Sequence, residues 1–143
     1  MALQTDYNET QPAAIAGAQA TMIPATIISR NVEGAPIGFG VAVSQGAADK
    51  GIVAGGAEFV GITLLDRSAA GENDTFRVGD SARVLTKGDI WVVAAGAVNA
   101  GDAVAVGSNG AFSAAGEEDT AIPGARWDTS TTAAGQLAVI RLG

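Results

Sequence analysis

The chain has 143 residues, which suits one domain, since single domains run to roughly 100–200 residues. It has no cysteine and no histidine, so disulfides, thiolate nucleophiles and the usual histidine general base or zinc ligand are excluded. Eight basic against fifteen acidic residues give a net charge of −7, and such a surface repels nucleic acid.

The first 25 residues carry no strand alternation and are interrupted by Pro12, Gly17 and Pro24. They lack the basic and apolar regions of a signal peptide, and the chain has no apolar run near the roughly 20 residues that span a membrane. We therefore expect a protein made in a cytosol, with no membrane partner. Residues 1–25 are predicted to form an extended arm on another surface, with at most a short helix near residues 13–20. Its apolar anchors are Leu3, Tyr7, Ile15, Met22 and Ile23.

Residues 26–143 are predicted to form one all-β domain, a small barrel or sandwich of short antiparallel strands. Apolar residues alternate with small or polar ones in several segments, and Gly, Asn, Asp and Ser cluster between them. The predicted strands are 37–43, 58–66, 82–86, 89–95, 103–106 and 136–142. In the first of these, Gly38, Gly40 and Ala42 leave one face thin, which allows strands or neighbouring subunits to approach closely.

Gly-Asp precedes an alternating segment three times, at Asp80, Asp89 and Asp102. Glycine accepts a positive φ and aspartate bonds nearby backbone amides, so all three are interpreted as turn residues. A catalytic carboxylate pair is the less favoured alternative. The acidic loop at 70–80 lacks the spacing of a calcium loop and is interpreted as an exposed loop. We expect no cofactor, no metal and no enzymatic activity.

Two tryptophans stand out in a chain that is only 5% aromatic. Trp91 lies in an apolar strand and is predicted to be core. Trp127, in "PGARWDTS", is the candidate for a contact surface, because tryptophan is enriched at interfaces. A carbohydrate- or ligand-binding sandwich that uses Trp127 is the alternative function from another class.

Four stretches in order carry a family resemblance. They are "MALQTDYNE", "GAPIGFGVAV", "FRVGDSARVLTKGDIWVVAAGAVNAGDAVAV" and "AIPGARWDTSTTAAGQLAVIRLG". Together they resemble the structural cement, or capsid decoration, proteins of tailed bacteriophages. Residues 44–57 and 66–76 fall outside the likeness.

The resemblance implies a small all-β protein that binds the outer surface of the assembled head, bridges major capsid protein subunits and stabilises the shell. It implies a place on the virion and no catalytic residues. It also implies self-association, for which we expect a trimer ahead of a dimer.

Overall fold

The computed structural model describes residues 14–55, 58–68, 75–107, 109–114 and 120–143. These residues contain no helix, and they form nine strands. The expected all-β class is confirmed. The strands are β1 (Thr26–Val32), β2 (Ala42–Gln45), β3 (Gly51–Ala54), β4 (Phe59–Thr63), β5 (Ser81–Val93), β6 (Ala103–Val106), β7 (Phe112–Ala114), β8 (Thr120–Trp127) and β9 (Leu137–Leu142).

Five strands close into a small barrel, and one of them, β5, also belongs to a second sheet. The order β1-β3-β2-β4-β5 closes on itself because β1 also pairs with β5, and β1–β3 is the parallel pair within it. Strand β5 then continues into the antiparallel sheet β5-β9-β8-β6-β7. A bridge between Ala94 and Phe112 brings β7 back towards the end of β5. The 13-residue β5 thus joins both halves of the fold.

The change of partners along β5 coincides with a β-bulge. Thr26 and Ile27 of β1 lie opposite Lys87 and Leu85, so Thr86 is an extra residue on β5. Because of the extra residue, each side chain after the bulge lies on the opposite face of the strand from the one that the alternation before the bulge would give it. Two expected strands, 82–86 and 89–95, are therefore one strand, and the turn expected between them is this bulge.

Two apolar clusters fill the two halves. The smaller lies within the barrel and centres on Phe76, whose ring packs edge-on against Phe39 with the ring centroids 5.3 Å apart. The larger centres on Trp127 and collects the inward residues of the second sheet. It also takes Ala42 and Ile62 from the outer face of β2 and β4. Strands β2 and β4 therefore carry apolar residues on both faces, and the two clusters lie on opposite sides of them.

Two of the three Gly-Asp pairs form the expected turns. The Arg77 amide donates to Asp80 Oδ2 at 2.8 Å, and the Asn99 amide donates to Asp102 Oδ2 at 3.0 Å. The glycines before these aspartates have φ of 89° and 95°, a conformation that disfavours other residues. The aspartates therefore tie the entries to β5 and β6, and the turn interpretation is confirmed for both.

Candidate binding surface

Residues 14–25, called here the arm root, lie against the edge of β5. The Gly17 amide donates to the Trp91 carbonyl and the Trp91 amide to the Ala18 carbonyl, both at 2.8 Å, and the Ala20 amide donates to the Asp89 carbonyl at 3.3 Å. The pairing is antiparallel, with Gln19 opposite Ile90. This part of the predicted arm thus lies on its own domain, where it supplies an edge partner for β5.

Two glycines allow the arm root to reach the barrel. Gly17 and Gly40 have φ of 89° and 67°, and a Cβ added to Gly40 would lie 2.8 Å from the Gly17 nitrogen. A Cβ on Gly17 would lie 2.8 Å from Phe39 Cβ. The thin face expected around Gly40 is therefore covered by the chain's own arm root, while Ala42 is buried in the larger cluster.

Asp89 anchors the arm root through a buried ion pair. Its side chain has no exposed surface, and it accepts Arg141 Nε at 2.9 Å on Oδ1 and Arg141 Nη2 at 3.2 Å on Oδ2. The Thr21 hydroxyl donates to Oδ2 at 2.9 Å. We call these contacts the Asp89 latch. The turn interpretation of Asp89 is wrong, because the residue lies within β5, directly opposite Arg141 of β9.

The latch keeps Asp89 ionised. The hydrogen bonds from the Arg141 guanidinium hold the pKa of Asp89 below its usual 3.8, and the Thr21 hydroxyl acts in the same direction against the effect of burial. The pKa of Arg141 is raised in turn, chiefly by its hydrogen bond to Asp89. Asp128, 3.9 Å from Arg141 Nη2, adds a second negative charge beside the guanidinium. A buried carboxylate with these partners holds two strands and the arm root together.

Three of the predicted contact residues are exposed along the arm root. Ile15 is 45% exposed, Ile23 38% and Met22 fully. Three further large apolar side chains of the described residues are exposed outside the arm root: Ile27 on β1, Val93 at the end of β5 and Val78 in the turn before β5, at 38%, 44% and 53%. Val93 was expected as an ordinary strand residue, and only the pairing of β5 shows which of its faces is open. Leu3 and Tyr7 lie outside the described residues.

Both expectations for the tryptophans are reversed. Trp127 is the largest fully buried side chain, and its indole Nε1 donates to the Ser113 carbonyl at 3.2 Å. The prediction that Trp127 lies on a contact surface is therefore wrong. Trp91 is half-buried and belongs to neither cluster, because Ile90 and Val92 take the inward face of β5. Trp127, which lies beside a Gly-rich segment, fills the core, whereas Trp91, which lies in an apolar segment, borders the arm root.

An open groove of about 330 Å³ lies beside the arm root. Its walls are Ala16 of the arm root, Phe39 and Val41 before β2, and Val93 and Phe112 of the second sheet. Asn109 carries the one polar side chain of the lining, and no lining residue is charged. The groove therefore offers apolar surface, without groups that would hold a phosphate, a metal or a charged sugar.

The described residues offer little for chemistry. They contain no group of three or more carboxylates placed to hold a metal ion. In the same ranges, no helix is long and apolar enough to cross a bilayer. Residues 70–74 of the acidic loop expected at 70–80 lie outside the described residues, and Asp80 at its end forms the turn described above. The described part does present exposed apolar side chains along the arm root.

These features define an all-β protein with exposed apolar side chains along its arm root. Residues 3–143 match the family described as structural cement protein (E217 gp24/Pam3 gp6). The chain belongs to this family, as its resemblance to cement proteins predicted, and the family carries a structural role. No curated protein matches the sequence.

Two solved structures are similar in fold. One, titled "The capsid of Myoviridae Phage XM1", has a TM-score of 0.75 at 14% identity and covers 100% of this chain and 98% of its own. At that identity the likeness shows the fold alone. Another, the head fiber gp8.5 N base of bacteriophage phi29, has a TM-score of 0.49 at 13% identity over 84% of this chain and 95% of its own, and no argument rests on it. The structural role of this chain in a phage therefore rests on its family, and the capsid neighbour adds the fold alone.

Proposed function

We propose that this protein is a non-enzymatic decoration protein of a phage head. It binds the outer surface of the assembled shell, bridges major capsid protein subunits and stabilises the shell. The observation that carries the proposal is family membership over residues 3–143. The exposed apolar side chains of the arm root support it, because exposed apolar surface marks protein contact sites.

The arm is proposed as the main contact, either with a capsid subunit or with a neighbouring copy. Leu3, Tyr7, Ile15, Met22 and Ile23 supply its anchors, and residues 14–21 are already ordered on β5. Ordering a chain costs on the order of 1–2 kcal/mol per residue, so an arm root that is already fixed binds at lower cost. A repetitive lattice then adds avidity when copies are linked.

The protein is proposed to self-associate, with a trimer expected ahead of a dimer, because symmetric closure is the common outcome for a protein with complementary surfaces. It is made in the host cytoplasm and resides on the virion. Its net charge of −7 supports the absence of a nucleic-acid partner. A carbohydrate-binding role loses its support, because the stacking platform it required was Trp127, which is buried.

Co-sedimentation with purified undecorated heads tests this function. We compare the full chain with a variant that lacks residues 1–13 and with Ile15→Ser. Both should sediment with heads much more weakly than the full chain, while Val78→Ser, an exposed valine in the turn before β5, should bind normally. Deleting residues 1–24 is a poorer test, because it would also remove Thr21 from the Asp89 latch. Equal binding by all variants would mean that the contact lies elsewhere on the β-domain.

A further inference from the structure

One side of β1 has no partner strand over most of its length, in the part of the chain that the structure describes. Strand β5 pairs with β1 along its whole other side, whereas β3 pairs with it only at Asn31 and Val32. The Asn31 amide faces the β3 side, where it donates to a carbonyl just before that strand. Because backbone groups of successive strand residues point to alternate sides, those of Ile27 and Ser29 also face the β3 side. We call residues 27–30 on this side the open edge.

The Arg30 side chain takes the place of a partner strand at the open edge. Its Nη1 donates to the Ser29 carbonyl at 2.9 Å, the acceptor that the amide of a neighbouring strand would otherwise use. Its Nε is buried and has no hydrogen-bond partner. The ion pairs among the described residues use other arginines. A buried donor without an acceptor is unfavourable, so the guanidinium is placed to gain a carboxylate.

These features fit an extended segment that carries an acidic side chain. An open strand edge binds such a segment through main-chain hydrogen bonds. An amide of the segment would replace Arg30 on the Ser29 carbonyl, and the guanidinium would turn to the carboxylate. Arg30 is the one charged residue in the stretch 21–32, so pairing two open edges would bring two cations together. The open edge of a second copy is therefore not the occupant that charge favours.

Residues 1–13 of this chain have the required chemistry. Their sequence, "MALQTDYNETQPA", contains Asp6 and Glu9 and no lysine or arginine. It has no proline before Pro12, and proline is the residue that strand pairing tolerates least. Eleven residues before that proline extend to roughly 36 Å at about 3.3 Å per residue, which exceeds the length of the open edge.

The same chain cannot place these acidic residues on its own open edge. Residues 1–13 continue from the arm root, which pairs with β5 at Trp91, whereas Arg30 lies opposite Ala82 at the other end of β5. The path from Trp91 to Ala82 along β5 is roughly 30 Å at about 3.3 Å per residue. Returning over that distance would use about nine of the thirteen residues and leave both acidic side chains short of Arg30.

We propose that residues 1–13 of a second copy pair with the open edge of β1 and place a carboxylate on Arg30. The donor and acceptor surfaces are different patches, so the contact is head-to-tail and closes into a ring when the rotation between copies allows. This inference rests on the proposed function of the arm, and it selects a neighbouring copy as the partner of residues 1–13.

A labelled peptide of residues 1–13, titrated with the full chain and followed by fluorescence anisotropy, tests the contact. The wild-type chain should bind the peptide saturably. Ser29→Pro should weaken binding at least tenfold, because proline removes an amide that faces the open edge and takes no part in the pairing with β5. Ser29→Ala keeps this amide and should bind within twofold of the wild type. Thermal unfolding of each variant checks that the fold is retained.

Charge gives a second, independent result. Arg30→Gln should weaken peptide binding at least fivefold, and so should a peptide that carries both Asp6→Asn and Glu9→Gln. Arg83→Gln is the matched control, because Arg83 is an exposed arginine on β5, on the side of β1 away from the open edge. The control should change the dissociation constant by less than twofold.

Equal binding of the peptide by the wild type and by Ser29→Pro would overturn this contact. Equal binding of a peptide with the same composition in scrambled order would overturn residues 1–13 as the occupant. If the peptide binds no chain while Ser29→Pro loses its binding to heads, the open edge pairs with a capsid subunit and the proposal is wrong. Whether the full chain binds heads at all is measured separately by co-sedimentation, so the two proposals can fail independently.

Discussion

The core around Trp127 and the seam between the arm root and β5 are held by different means. The core is a continuous set of apolar side chains from the second sheet, together with residues from β2 and β4. The seam has two close-packed glycines, a few backbone hydrogen bonds and one buried ion pair. Burial of apolar area is spread over many contacts, whereas the seam depends on a handful of polar atoms. The core therefore determines whether the domain folds, and the seam determines whether the arm root stays attached.

The largest effect expected from this difference is that of Trp127→Ala. Truncating a large buried aromatic side chain typically costs about 3–5 kcal/mol of unfolding free energy. Trp127 is fully buried, and its indole also loses the hydrogen bond to the Ser113 carbonyl. Urea denaturation followed by circular dichroism measures the loss. Trp91→Ala is the matched control and should cost clearly less, because Trp91 is half-buried. Equal losses would contradict the assignment of Trp127 to the core.

Arg141→Ala comes next, because it leaves the buried Asp89 carboxylate without its main partner. The loss should be smaller than for a fully buried ion pair, since the Arg141 side chain is 37% exposed to solvent. The same denaturation measurement applies. Arg126→Ala on the neighbouring strand is the control, since Arg126 lies opposite Arg141 and is exposed. Its loss should stay below about 1 kcal/mol. An Arg141→Ala chain as stable as the Arg126→Ala chain would show that the buried pair adds nothing to the seam.

Asp89→Asn should remove the acid dependence of the seam's contribution to the free energy of unfolding. The pKa of Asp89 is lower in the folded chain than its usual 3.8, chiefly because of its hydrogen bonds with Arg141. The carboxylate therefore stabilises the fold fully above pH 3.8, and this stabilisation is lost as the pH falls through the lower folded pKa. At neutral pH the variant should be about 2 kcal/mol less stable than the wild type. Denaturation between pH 7 and pH 2 should show this gap narrowing below pH 3.8. A gap that stays constant to pH 2 would contradict the latch.

The smallest expected effect is that of Thr21→Val, which removes one hydroxyl donor and keeps the shape of the side chain. The substitution should lower the free energy of opening the seam by about 1 kcal/mol, because Thr21 bonds to Asp89 there. Hydrogen exchange at the Trp91 amide, which donates to Ala18, should become roughly fivefold faster. The Ile90 amide on the same strand is the internal control. Uniform acceleration at both amides would mean that the seam and the core open together.

The sequence predicted five of the nine strands of the described residues at least in part, because alternation in a strand is a local property. The predicted strands 58–66, 103–106 and 136–142 contain β4, β6 and β9. The predicted strand 37–43 is largely wrong, since β2 begins only at Ala42, and strands β1, β3, β7 and β8 were not predicted. Strand β8 contains Pro123 and Gly124, residues that usually mark turns. In the sheet these two lie where the pairing with β6 shifts register, which is where a strand tolerates them.

The binding surface was harder to predict, because it depends on partners far along the chain. Asp89 follows a glycine, as Asp80 and Asp102 do, and nothing local separates the three. What distinguishes Asp89 is Arg141, 52 residues away, and Thr21, 68 residues away. Trp127 was misplaced for the same reason. The Gly-rich sequence around Trp127 indicated a surface loop, whereas in the structure the Trp127 side chain on β8 packs in the larger cluster.

The pairing of the arm root with β5 has a mechanical consequence. The hydrogen bonds of an antiparallel pair run across the strands, so a pull on the chain at Ala14 along the strand direction loads them in shear. Bonds loaded in shear share the force and must fail together, whereas bonds at a peeled end fail one at a time. The bidentate Arg141–Asp89 pair lies in the same row and continues the path of the force into β9. If a copy is bound to the shell as proposed, tension on its arm would therefore be transmitted to the whole second sheet. The protein would then resist the separation of the subunits that it connects.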